Sequence, residues 1–273
     1  MNILIIGDIC GSPGRQATKK YIEKIKIEYG IDFVIANGEN SAGGVGITKP
    51  VLDELYSLGI DVVTTGNHIW DKKDVFEFIE DEPYLVRPAN YPQTSPGQGF
   101  CIYDYQSIKI GIINISGRTF MPALDCPFQV VDTILAKIKT LCDIIIVDFH
   151  AEATSEKMAM GWYLDGKVSA VVGTHTHIQT ADERILTKGT GYITDLGMVG
   201  PWNSILGVEK EIIINKFITA LPTKFNLAKG PNVFSAVVLK VDETNGECVD
   251  ICRILLKEEK KIFDKLKISK GIF

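Results

Sequence analysis

The stretch Val168-Ser169-Ala170-Val171-Val172-Gly173-Thr174-His175-Thr176-His177, continued by Ile178-Gln179-Thr180, decides how this chain is read. The apolar run Val168 to Val172 predicts a buried strand. Gly173 and two threonines carry the chain out of it, with His175 and His177 one residue apart at the exit. In an extended segment residues i and i+2 point to one side, so both imidazoles are expected to face one pocket at the carboxyl end of a strand. Sites in α/β sheets form at that end. A lone His-x-His pair reads equally well as two surface histidines on a loop. The chain has only four histidines, however, and the other two, His68 and His150, also follow apolar, strand-like runs. Four histidines at strand exits point to metal-ligand chemistry.

The same pattern extends through the chain. Asn2 to Ile6 reads as a strand ending at Gly7-Asp8. Asp32 to Ala36 opens into Asn37-Gly38-Glu39-Asn40, and Ile60 to Thr65 ends at Gly66-Asn67-His68. Asp143 to Phe149 ends at His150-Ala151-Glu152. Helices are expected between these strands: one after a Gly11-Ser12-Pro13-Gly14 turn to about Tyr29, one capped by Thr48 to about Leu58, and one starting at Asp71. Further helices are expected up to about Leu141, from Ser155 through Trp162, and over Glu209 to Phe217. Residues 81–98, rich in proline, read as a long structured loop. Two hairpins are expected, Phe100–Tyr105 with Ile108–Ile115, and Val233–Val241 with Glu247–Leu256 about an Asn245-Gly246 turn. From Lys257 the alternation of Lys with Glu and Asp predicts a solvated tail helix. The repeated β-loop-α order gives the α/β class.

With 273 residues, 45% of them hydrophobic, the chain can bury one sizeable core, and no composition shift divides it, so residues 1–273 read as a single domain. No apolar run is long enough to span a bilayer, and the N-terminus reads as a first strand, not a signal peptide. The six scattered cysteines show no Cys-x-x-Cys spacing and read as reduced core thiols of a cytoplasmic protein. A formal charge of -5 argues against a broad nucleic-acid-binding face, while a small anionic substrate fits if a metal supplies local positive charge. The sequence leaves self-association into a homo-oligomer open.

Each strand exit offers an oxygen or nitrogen donor: Asp8, Glu39 with Asn40, Asn67 with His68, His150, and His175 with His177. Such a mixed set suits iron, manganese or zinc better than calcium. It exceeds what one tetrahedral ion needs, so two ions are the economical reading, with a carboxylate such as Glu39 able to bridge them. Taken singly, Asp8 and Asn67 also read as helix caps and Asn40 as a turn residue. Gly7, Gly11 and Gly14 suggest a dinucleotide fingerprint, but the spacing is wrong and Pro13 interrupts it. A nicotinamide- or flavin-binding oxidoreductase is therefore a poorer match. A metal-retaining scaffold is poorer too, because binding alone has no use for the spare His68.

The ordered blocks Gly7-Asp8, Gly38-Glu39-Asn40, Gly66-Asn67-His68, Phe149-His150-Ala151-Glu152 and Gly173-Thr174-His175-Thr176-His177 resemble those of the calcineurin-like metallophosphoesterases. Within them the chain is most similar to the bacterial YmdB family, also in Gly11-Ser12-Pro13-Gly14, Ala153-Thr154-Ser155-Glu156-Lys157 and Thr194-Asp195-Leu196-Gly197-Met198. The resemblance covers nearly the whole chain. It implies an α/β/β/α sandwich of two packed mixed sheets flanked by helices, and hydrolysis of 2′,3′-cyclic nucleotides, a small nucleotide phosphodiester substrate. Carried over by position, one metal would be held by Asp8, Glu39, Asn40 and His177 and the other by Glu39, Asn67, His150 and His175. Iron is the first expectation, manganese or zinc the alternatives. A hydroxide bridging the metals would attack phosphorus, and His68 would give its proton to the leaving group. The sequence departs from the wider superfamily at the bridging acid, Glu39 in place of Asp, and at Cys10, where a histidine is usual. Cys10 reads as a buried thiol, with a thiolate ligand as the alternative. Arg118 and Met198 read equally as pocket-lining or ordinary loop residues.

Overall fold

The computed structural model describes residues 1–258. In chain order they form β1 (Asn2–Ile6), β2 (Asp8–Ile9), α1 (Gly11–Tyr29), β3 (Phe33–Asn37), α2 (Lys49–Ser57), β4 (Val62–Thr64) and β5 (Leu85–Val86). Then come β6 (Phe100–Tyr105), β7 (Ile108–Ser116), α3 (Pro127–Ile138), β8 (Ile144–His150), α4 (Thr154–Leu164), β9 (Ala170–Thr174), β10 (Arg184–Ile185) and β11 (Gly191–Ile193). Last are β12 (Met198–Pro201), α5 (Lys210–Thr219), β13 (Asn232–Val241) and β14 (Cys248–Lys257). Of the expected tail helix, Lys257 ends a strand instead, and the part beyond residue 258 lies outside the described residues.

The strands make two mixed sheets. The first has eight strands in the order β2-β12-β13-β1-β3-β4-β5, with β14 on β13. The second has six, ordered β10-β11-β9-β8-β7-β6. β1, β3, β4 and β5 run parallel, as do β7, β8, β9 and β11. Both expected hairpins are present as antiparallel pairs.

The apolar runs are continuous because each sheet is covered on both faces. Alternation then sorts neighbouring residues into different layers. Ile3 and Ile5 of β1, Phe33 and Ile35 of β3, and Ile144 and Ile146 of β8 meet in the layer between the sheets. Leu4 and Ile6 face outward to Ala17, Ile22 and Ile25 of α1 and Leu52 and Leu55 of α2. Ile145, Val147 and Phe149 face Val131, Leu135, Met160 and Leu164 of α3 and α4. The result is the α/β/β/α sandwich that the resemblance implies. The parallel strands of both sheets deliver their carboxyl ends to one edge, where the donors collect. Among the described residues no helix is long and apolar enough to cross a membrane.

Two local expectations are corrected. Gly11 to Gly14 is not a turn before the helix but its first turn. A Cβ on Gly14 would lie 2.4 Å from the Val199 carbonyl oxygen, so glycine lets α1 start hard against β12. No α-helix starts at Asp71. Lys73–Glu77 and Ile79–Asp81 are short 3₁₀ turns. Val75 and Phe78, three residues apart, are both buried, which suits a three-residue turn, and Pro83 follows closely.

Candidate metal centre

Glu39 is the hub of the carboxyl edge. It follows β3 and is 1% exposed. Its Oε1 lies 3.1 Å from His150 Nε2 and accepts a 3.1 Å hydrogen bond from Asn40 Nδ2. Its Oε2 accepts the backbone N–H of His68 at 3.0 Å. Burial opposes ionisation of Glu39, yet His150 and His68 pull its carboxyl down to about 2. The room for this carboxylate comes from Gly66. A Cβ there would lie 2.3 Å from both Glu39 Oε2 and His150 Nε2.

Around His150, the last residue of β8, three further donors converge. Its Nε2 lies 3.0 Å from Asn67 Oδ1, 3.1 Å from His175 Nδ1 and 3.1 Å from Glu39 Oε1. Glu39, His150 and His175 each offer one atom within 4.8 Å of the others. A second group, Asn40, His177 and Asp8, reaches Glu39 through the Asn40 amide on the same Oε1. Asn40 Nδ2 is 3.1 Å from His177 Nε2, and His177 Nε2 is 4.0 Å from Asp8 Oδ1. A half-turn of the Asn40 amide exchanges its NH₂ for the oxygen that a cation would need.

This arrangement fits cations. Asp8 Oδ1 is buried without a hydrogen-bond partner, which an acceptor tolerates poorly unless a positive charge faces it. The other oxygen, Oδ2, accepts the His175 N–H at 3.2 Å. Burial raises the Asp8 pKa to about 6 even with His177 and His150 nearby. Burial also disfavours charge on the imidazoles. Against it, Glu39 lifts His150 to about 9, and Cys10 with Asp8 lifts His177 to about 10. His175 goes the other way, to about 3, by burial and by the charge of His150. Protons on His150 and His177 thus balance buried carboxylates where cations could do the same.

The His175-Thr176-His177 turn is not the extended segment expected from the sequence. His175 and His177 have φ of 99° and 64°, in the left-handed region. From that turn His175 reaches His150 and His177 reaches Asn40, so the two rings join different donor groups. Asp195 holds it: Oδ2 accepts the Thr176 N–H at 3.1 Å and pairs with the buried Lys157. The Cys10 sulfur lies 3.8 Å from His177 Nδ1, on the ring edge away from the Nε2 that faces Asp8. Met198 packs with Cys10 and Val233, and the Arg118 guanidinium reaches Cys126 Sγ.

His68 stands apart from both groups, partly exposed, with Nδ1 2.8 Å from Asp71 Oδ2. The sequence reading gave Asp71 no role beyond starting a helix, and gave none to Glu152, whose Oε2 lies 3.0 Å from His175 Nε2. An acid three residues after a histidine at a strand exit was the available signal for Asp71.

Comparison with known proteins accords with this architecture. The family described as "YmdB-like protein" matches residues 4–254. A Bacillus subtilis (strain 168) protein named 2′,3′-cyclic-nucleotide 2′-phosphodiesterase is 50% identical over 97% of this chain and 100% of its own length. A Mycoplasma pneumoniae crystal structure described as a novel phosphatase is 34% identical, with a TM-score of 0.90 over 96% of this chain and 95% of that one. A putative 5′-nucleotidase from Staphylococcus aureus, 16% identical with a TM-score of 0.63 over 95% of this chain and 55% of that one, shares the fold. The chain belongs to the YmdB-like family.

Proposed function

We propose that the protein is a dinuclear metal-dependent phosphodiesterase that hydrolyses 2′,3′-cyclic nucleotides. The observation that carries this reading is Glu39, a buried carboxylate touched by two donor groups, Asp8, Asn40 and His177 in one and Asn67, His150 and His175 in the other. The first set with Glu39 would hold one cation and the second set with Glu39 the other. The substrate class is supported by the name of the Bacillus subtilis relative. The mixed nitrogen and oxygen set supports iron first, then manganese or zinc. Six free thiols support a reducing, cytoplasmic setting.

When bound, the cations supply Lewis acidity, neutralising charge on the phosphoryl oxygens and making water acidic enough to act as nucleophile near neutral pH. The chain supplies the rest. Glu39 and Asp8 would provide the negative charge for the cations, and the His175-to-His177 turn sends one imidazole to each donor group. His68 manages the leaving group. With Nδ1–H donated to the Asp71 carboxylate, its Nε2–H is left to protonate the departing ribose oxygen. The hydrogen bond from its own backbone N–H to Glu39 fixes its distance from the centre.

Elemental analysis of the purified protein, with hydrolysis of a phosphoester panel, tests this reading. Two transition-metal ions per chain and faster turnover of 2′,3′-cyclic nucleotides than of monoesters are expected. His150→Ala and His175→Ala should each lose one ion preferentially. Full metal content in both variants rejects the ligand sets, and a dominant chelator-sensitive monoesterase rejects the substrate class alone.

A further inference from the structure

Asp148 lies on β8 two residues before His150, on the same inward face, and is 2% exposed. A carboxylate between two sheets needs partners, and all of those around Asp148 are donors. Its Oδ1 accepts from Thr174 Oγ1 at 2.7 Å. Its Oδ2 accepts from the Thr64 hydroxyl and from Asn37 Nδ2, the latter at 3.3 Å. Thr64 and Asn37 belong to β4 and β3 of the first sheet, Asp148 and Thr174 to β8 and β9 of the second. The carboxylate therefore ties the sheets together directly beneath the candidate metal centre.

Two arms lead from it to the centre. Thr174 Oγ1 lies 2.9 Å from His150 Nδ1. A hydroxyl has one proton, and Thr174 spends it on Asp148, so toward His150 it can only accept. In the neutral ring that would bind a cation, that fixes the proton on Nδ1 and leaves the Nε2 lone pair facing Glu39, Asn67 and His175. The second arm runs through Asn37, whose Oδ1 accepts the Glu39 N–H at 3.1 Å.

We infer that Asp148 is a positioning residue for the metal centre, acting through the Thr174 hydroxyl to orient His150 and fix its tautomer, and through Asn37 to place Glu39. The inference rests on the reading of His150 as a ligand. Outer partners of this kind are typically worth about 10–100-fold in metal affinity. In Asp148→Asn the new NH₂ must face either the Thr174 oxygen or the donors Thr64 and Asn37, so one arm breaks.

The test is metal retention by the full-length purified protein against a graded chelator, read by elemental analysis, with circular dichroism as the fold control. Asp148→Asn and Thr174→Val are each expected to weaken retention of one ion by about 10–100-fold. Thr174→Ser, which keeps the hydroxyl, should retain metal as the parent does. Should Asp148→Asn not fold, the near-isosteric Thr174→Val against Thr174→Ser carries the comparison. Retention unchanged in both single variants while His150→Ala loses an ion overturns the inference alone. Retention unchanged in His150→Ala overturns the underlying ligand reading.

Discussion

His68 Nδ1 and Asp71 Oδ2 lie 2.8 Å apart, joined by a single turn of chain that leaves β4. The carboxylate holds the ring in one orientation, which leaves Nε2 for the proton donation proposed above. Ribose alkoxide is a poor leaving group and needs that proton, whereas a nitrophenolate scarcely does. General acid catalysis is worth about 10²–10⁴-fold. His68→Gln should keep its metal, lose most turnover on 2′,3′-cyclic nucleotides and lose far less on bis-nitrophenyl phosphate. Asp71→Asn, which keeps an acceptor but no charge, should show the same contrast in smaller measure. Equal losses on both substrates in steady-state assays would instead make this pair a phosphate-positioning device.

Proton release should accompany metal uptake. His150 and His177, held at about 9 and about 10, carry protons at neutral pH that a cation must displace, while His175, at about 3, carries none. The expected release is about two protons for two cations near pH 7. Both groups have raised pKa values, so lowering the pH strengthens proton competition and weakens metal binding. Asp8, at about 6, adds a third proton below that pH. The check is calorimetry of zinc uptake in buffers of differing ionisation enthalpy. Heats independent of the buffer would contradict the protonated imidazoles.

Gly66 leaves space that Glu39 and His150 occupy. Its substitution by Ala would put a methyl 2.3 Å from Glu39 Oε2 and His150 Nε2, the ends of two buried side chains. The methyl would split the pair, so Gly66→Ala should lose at least one ion while its circular dichroism stays that of the parent. Parent-like metal content would mean the two side chains are free to move aside.

The donors were legible because a parallel sheet advertises its carboxyl edge. An apolar run covered on both faces ends where the first polar residue appears, as at Ile6-Gly7-Asp8 and Phe149-His150. Which donors share a neighbourhood was not legible from those runs, since strand order decides it, and here only the resemblance grouped them. The two-histidine turn departs from the extended reading because its left-handed backbone depends on Asp195, 19 residues beyond Thr176, gripping the Thr176 N–H. Asp148 went unnoticed inside Ile144-Ile145-Ile146-Val147-Asp148-Phe149, although a lone charge in a strand buried on both faces always needs partners. Asn37, Thr64 and Thr174, the partners in question, come from three other strands and carry no local mark.

Lys157 and Asp195 form a fully buried ion pair, 1% and 0% exposed, behind the two-histidine turn. Lys157 Nζ also donates to the Thr174 carbonyl at 2.6 Å, and Asp195 Oδ1 accepts the Gly197 N–H at 2.8 Å. Lys157→Met keeps the length of the side chain and removes its charge, which strands the Asp195 carboxylate in the interior. Breaking a buried pair in this way costs about 3–5 kcal/mol. Lys157→Met/Asp195→Asn removes the stranded charge and should recover part of that loss, because a neutral amide can still accept from Thr176 or Gly197. Urea unfolding of the metal-stripped proteins measures both. A loss in Lys157→Met below about 1 kcal/mol, the scale of a solvent-exposed pair, would mean that water reaches Asp195 and that the turn is held by its other bonds.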